Sequence, residues 1–87
     1  MRIVISGKDY KVEEALKARI EKKVGKMQRY FAEEAEAQVR LSLERGARNI
    51  AEITLICAGT VIRGEAVTDD MYLSVDTALE KLEKQKI

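Results

Sequence analysis

The chain contains no histidine, no proline and only one cysteine. Without histidine it lacks both the commonest general base and the commonest zinc ligand. With Cys57 alone there is no internal disulfide and no CxxC mate for redox or metal chemistry. No apolar run approaches the roughly 20 residues that a bilayer-spanning helix requires, so no membrane partner is expected. The start, Met1-Arg2-Ile3-Val4-Ile5, lacks a signal-peptide core and reads as a cytoplasmic N-terminus. Aromatic residues are confined to Tyr10, Tyr30, Phe31 and Tyr72, too few for a base-stacking surface. No nucleophile–base pair is apparent, so no catalytic residue, metal, cofactor or small-molecule substrate is assigned. The order Ser6-Gly7-Lys8 lacks the glycine-rich run of a phosphate loop.

What is present is charge, arranged unevenly. Charged residues make up 36% of the 87, yet the net charge is only +1. Between residues 17 and 29, Lys17, Arg19, Lys22, Lys23, Lys26 and Arg29 face a single acid, Glu21. The acids gather elsewhere, in Glu13-Glu14, Glu33-Glu34-Glu36 and Asp69-Asp70. A near-neutral total therefore conceals a polarised surface.

Hydrophobic periodicity divides one domain, residues 1–87, into six elements. Residues 2–6 are an apolar, β-branched run ended by Ser6-Gly7 and predict a strand. From about Val12 the period becomes helical: Val12, Leu16, Ile20, Val24, Met27 and Phe31 form one stripe. Gly25 weakens the last turn. Ala37, Val39, Leu41 and Leu43 alternate with polar residues, as do Ala51, Ile53, Leu55 and Cys57, and Val61 to Val67 forms a fourth strand. Arg45-Gly46-Ala47-Arg48-Asn49 and Gly59-Thr60 supply the connections. A second helix follows, with Asp69 or Asp70 as N-cap and Tyr72, Val75, Leu79 and Leu82 facing inward. The order β-α-β-β-β-α predicts an α+β fold: a parallel pair formed by a right-handed crossover, an antiparallel meander, and two helices on one face of a four-stranded mixed sheet. The other face, with Arg40, Glu44, Glu52, Thr54, Arg63 and Glu65, is expected to be wet.

Both helices end in cations. Arg19, Lys22, Lys23, Lys26 and Arg29 recur at spacings of three and four and share a face about a quarter-turn from the apolar stripe. Lys81, Lys84 and Lys86 close the second helix. Each basic end is equally well explained as compensation of the helix dipole. If both helices lie on one sheet face, however, their ends form a continuous positive groove suited to A-form RNA, which is read by shape, phosphate and 2′-OH. Arg45 and Arg48 form either an exposed hairpin tip or an additional RNA contact. Asp69-Asp70 reads as a helix cap rather than a metal site, and Cys57 as a small core hydrophobe.

With these residues in view, the chain resembles the ribosome hibernation promoting factor family, which includes the ribosome-associated inhibitors. The matching stretches are Ile3-Val4-Ile5-Ser6-Gly7-Lys8, Glu14-Ala15-Leu16, Glu21 through Phe31, Gly59 through Arg63, and above all Asp70-Met71-Tyr72-Leu73-Ser74-Val75-Asp76 followed by Lys81-Leu82-Glu83-Lys84-Gln85. The resemblance implies a shape related to double-stranded-RNA-binding folds. It implies the small ribosomal subunit and its rRNA as partner, and silencing of translation by occupation of the mRNA–tRNA channel. By position it implies Lys22, Lys23, Lys26, Lys81 and Lys84 as basic contacts, with Arg45 and Arg63 where the family often carries further cations. Three departures stand out. Glu13 stands where relatives often place a threonine cap, the closing basic run is short, and nothing corresponds to the ribosome-pairing C-terminal domain of long members. The chain is therefore expected to be either a short form or the N-terminal part of a long one. A different reading is a protein-interaction module, a homodimer through the sheet, suggested by outward-pointing Ile56 and Val61.

Overall fold

Strand-period patterning closes into a single sheet in the computed structural model, which describes residues 1–27, Phe31 and residues 34–85. The elements are β1 (Arg2–Lys8), α1 (Glu14–Lys26), β2 (Glu36–Glu44), β3 (Arg48–Cys57), β4 (Thr60–Thr68) and α2 (Met71–Lys84). The sheet order is β1-β2-β3-β4. β1 pairs with β2 in parallel, Ile3 opposite Ala37 and Ile5 opposite Val39. The other two pairings are antiparallel, Val39 opposite Ile53 and Ile53 opposite Gly64. The expected α+β architecture is the observed one.

The registers sort side chains by parity, as a pleated sheet must. Ala37, Val39, Leu41, Ala51, Ile53, Leu55 and Ala66 face the helices and are buried. Leu16, Ile20, Val24 and Met27 from the first helical stripe, and Met71, Val75, Ala78, Leu79 and Leu82 from the second, complete one core. Among the described residues, no helix covers the opposite sheet face.

Two boundaries and one facing differ from the sequence pattern. β1 continues through Gly7 and Lys8, which pair with Leu41 and Ser42, and the chain turns only at Asp9, where φ is +53°. α1 is shorter than its apolar stripe: Val12 precedes the cap and Phe31 follows the helix, yet both pack against the core. Gly25 does not interrupt α1, which runs on to Lys26. Tyr72, expected inside, is 37% exposed. Because Asp70 caps the helix and Met71 is its first residue, the 100° step places Met71, Ser74 and Val75 inward and turns Tyr72 to the flank.

The two helix starts are capped differently. The Asp70 carboxylate accepts from the Tyr72 N–H at 3.2 Å. Behind it, the buried Ser74 hydroxyl donates to the Asn49 carbonyl at 2.7 Å and meets the Thr68 hydroxyl at 2.7 Å. Glu13 occupies the N-cap of α1 with extended backbone but makes no side-chain cap bond, because its longer chain cannot fold back onto the first-turn amides as Ser, Thr or Asp does. Glu13→Thr is accordingly expected to raise stability by about 0.5–1 kcal/mol. Urea titration would read this as a higher midpoint at unchanged slope.

Strand direction fixes where the helix ends lie. β1, β2 and β4 run one way and β3 the other. Each helix follows a strand of the first set and returns along the sheet, so α1 and α2 are parallel. Arg19 and Asp76, the sixth residue of each helix, are accordingly in contact. Both C-termini therefore sit at the end of the domain that carries the β3–β4 turn, and the β2–β3 connection sits at the other.

Candidate nucleic-acid interface

Parallel helices on one sheet face bring the two basic ends together, as the RNA reading requires. Lys22 and Lys26 are exposed in the second half of α1, and Lys84 is exposed in the last turn of α2. None of the three forms an ion pair among the described residues. Arg29 and Lys86, also expected here, lie outside the described residues.

The remaining expected contacts have other placements. Lys23 is 38% exposed and its ammonium lies 2.9 Å from Asp76 Oδ1. Arg19 grips the same carboxylate, Nη2 to Oδ2 at 2.8 Å and Nε to Oδ1 at 3.4 Å. The Arg19 guanidinium also lies 5.8 Å from the centre of the Tyr72 ring, within cation–π range. Lys81 reaches the opposite flank of α2 and donates to the Glu65 carbonyl at 2.8 Å. Arg63 lies on the open sheet face, paired with Glu52. Arg45 sits in the β2–β3 connection, at the far end from the lysines.

The groove between the helices is not the continuous cationic channel expected from the sequence. It encloses about 290 Å³ and is lined by Lys23, Lys26 and Leu79 but also by Asp76, Glu80 and Glu83. The cause is α2's own periodicity: positions 76, 80 and 83 fall on the flank turned to α1, and all three are acids. Lys22, Lys26 and Lys84 are exposed toward the C-terminal ends of the helices, and the furrow between the helices is lined largely by acids.

The clamp on Asp76 has a titration signature. Hydrogen bonding from Arg19 holds the Asp76 carboxyl below its ordinary 3.8, against an opposing push from burial, with Lys23 adding to the fall. Arg19 is shifted up by the same contact. A depressed carboxyl stabilises the fold above its unfolded pKa, and that contribution is lost as pH falls through the folded value. Wild type should therefore exceed Asp76→Asn in stability at neutral pH. The gap should close below about pH 4, the ordinary aspartate value. Thermal melts of both proteins across this range check it.

Comparison with known proteins decides the family. The family model described as sigma 54 modulation protein / S30EA ribosomal protein matches residues 3–85. The chain belongs to this family. It is 34% identical over 87 residues to a ribosome hibernation promotion factor of Bacillus subtilis, covering 98% of this chain but 46% of the relative. It is 32% identical to a ribosome hibernation promoting factor of Azotobacter vinelandii, covering 100% of this chain and 80% of the relative. The crystal structure of the Thermus thermophilus Protein Y N-terminal domain superposes with a TM-score of 0.84 at 33% identity, over 98% of this chain and 94% of that one. The chain thus spans under half the length of the Bacillus relative.

Within this S30EA-type domain, the stretch that most resembles the hibernation factors is largely occupied with the fold. Asp70 caps α2 and Met71 is buried. Asp76 ties α2 to α1. Lys81 and Gln85 cover the outer edge of β4: Gln85 Nε2 donates to the Arg63 carbonyl at 2.6 Å, next to the Lys81 contact on Glu65. These side chains satisfy carbonyls that an edge strand would otherwise offer to another chain. Lys81 and Lys23 stand out as contacts in the sequence by basic helical spacing and by family resemblance, and both also have partners within the domain. The sequence signal for the Lys23 pairing is Asp76, one helical turn from Tyr72 and placed to meet two cations four residues apart on the other helix.

Proposed function

We propose that this domain binds the small ribosomal subunit through rRNA phosphates and silences translation by occupying the mRNA–tRNA channel. The observation that supports the reading is that Lys22, Lys26 and Lys84 are exposed toward the C-terminal ends of two parallel helices packed on one sheet face. Compact ammonium groups on flexible stems suit phosphate contacts, and A-form RNA presents phosphate and 2′-OH rather than base edges to such a surface. The hibernation factors it resembles carry the ribosome in their names. Exclusion by volume needs no catalytic group, so the domain acts as a stoichiometric ligand in the cytoplasm. The test is co-sedimentation with purified small subunits over a salt series. Binding that weakens steeply with salt supports the reading, and binding indifferent to salt refutes it.

A second reading rests on the open sheet face. Val61 is 59% exposed there and pairs across strands with half-buried Ile56, as half-buried Ile50 does with exposed Val67. A homodimer through this face would cover them. Light scattering over a concentration series distinguishes it: a tight dimer with no affinity for small subunits would favour this reading over the first.

A further inference from the structure

The interhelical clamp bears on the proposed RNA surface, and the inference drawn from it rests on that reading. Asp76 engages two cations from α1, Arg19 at 2.8 Å and Lys23 at 2.9 Å. Both cations remain substantially open to solvent, 41% and 38% exposed, while Asp76 is 25% exposed. Neither is buried for the sake of the core, and both stand on the flank of α1 that carries Lys26. They are cations of the candidate surface, held by an internal anion. The other two acids of the furrow, Glu80 and Glu83, make no ion pair among the described residues.

We propose that Asp76 is a specificity-determining residue for RNA: it withholds Arg19 and Lys23 from phosphate and so restrains binding to RNA in general. A phosphate approaching the α1 flank must displace a bidentate carboxylate from Arg19, which offsets much of what the new contact contributes. Counterion release then comes mainly from the unpaired lysines, and the domain binds strongly only where its whole end surface is matched. Exposed ion pairs contribute little to stability, so a clamp of this kind adjusts affinity at small cost to the fold.

The experiment compares wild type, Asp76→Asn and Glu80→Gln on a short RNA duplex of arbitrary sequence and on purified small subunits, over a salt series. Asp76→Asn and Glu80→Gln change net charge equally, but only the first releases paired cations. Asp76→Asn is expected to bind the duplex about tenfold tighter than wild type at 50 mM salt, with a logarithmic salt slope steeper by about one to two. Glu80→Gln should gain less than about threefold, and adding Arg19→Gln and Lys23→Gln to Asp76→Asn should abolish the gain. The preference for small subunits over duplex should fall correspondingly in Asp76→Asn. Circular dichroism melts fix a temperature at which every variant is folded.

An Asp76→Asn protein that binds duplex no better than Glu80→Gln, or worse than wild type, overturns the inference. So does a gain that survives loss of Arg19 and Lys23. Those outcomes leave the ribosomal reading standing if wild type still binds subunits with a salt-dependent affinity. Failure of every variant to bind either RNA would instead sink that reading.

Discussion

Reversing Lys22, Lys26 and Lys84 together to glutamate is expected to weaken binding to small subunits by at least about a hundredfold at 50 mM salt. Each phosphate contact contributes about 0.7–0.9 to the logarithmic salt slope, so losing three should flatten the slope by about two to three. The companion variant, Arg45→Glu/Arg48→Glu/Arg63→Glu, alters net charge by the same amount at other places. Arg45 and Arg48 lie at the β2–β3 end, and Arg63 lies on the open sheet face against Glu52. If binding depends on the end surface where the helices converge, this second triple should lose less than about fivefold, through the long-range field alone. Equal losses in the two triples would mean that bulk charge attracts RNA and that the helix ends form no defined site. A larger loss in the arginine triple would move the contact surface to the hairpin and sheet. Sedimentation and filter-binding titrations of the two triples in parallel distinguish these outcomes.

The fold was legible because its two periods are clean. Strand alternation over residues 37–41 and 51–55, and steps of three and four from Leu16 to Met27, assign each residue a face, and the core follows those assignments; at the strand ends the pattern fails, with Leu43 37% exposed and Cys57 only half-buried. Parity also placed Ile56 and Val61 outward correctly. Boundaries were less legible because they depend on pairing partners. Gly7 and Lys8 read as turn residues until Leu41 and Ser42 are seen opposite them. The site was legible only as composition. A run of lysines and arginines states that cations are present, and says nothing of which anions will meet them. Asp76, Glu52 and the Glu65 carbonyl each come from another element and take up Arg19 and Lys23, Arg63 and Lys81 respectively. Those pairings are tertiary facts. They divide a uniform basic pattern into cations engaged by another element of the domain and cations with no ion pair among the described residues.

Gly64→Ala is expected to destabilise the domain by about 1–3 kcal/mol, and Gly64→Val by more, through overpacking. Gly64 is buried in β4, where glycine normally weakens a strand, so its presence needs a steric reason. A Cβ there would stand 2.5 Å from the Ala78 carbonyl oxygen and 3.3 Å from both Leu82 Cγ and Leu82 N. The obstacle is largely the backbone of α2, which cannot rotate aside as a side chain would. The helix must lift, and in lifting it strains the contacts of Lys81 and Gln85 on the β4 edge and shifts Lys84 relative to Lys22 and Lys26. For a domain of this size, 1 kcal/mol corresponds to a drop in Tm of about 4–8 °C. The same substitution at Gly25 should have the opposite sign. There an added Cβ meets nothing within 4 Å, the residue is inside α1, and alanine should gain up to about 1 kcal/mol from helix propensity alone. Paired thermal melts of Gly64→Ala and Gly25→Ala therefore test the packing of α2 on β4 without relying on absolute stabilities. If Gly64→Ala melts within a degree or two of wild type, α2 does not lie against β4 as closely as described, and the convergence of the two basic helix ends would lose its structural footing.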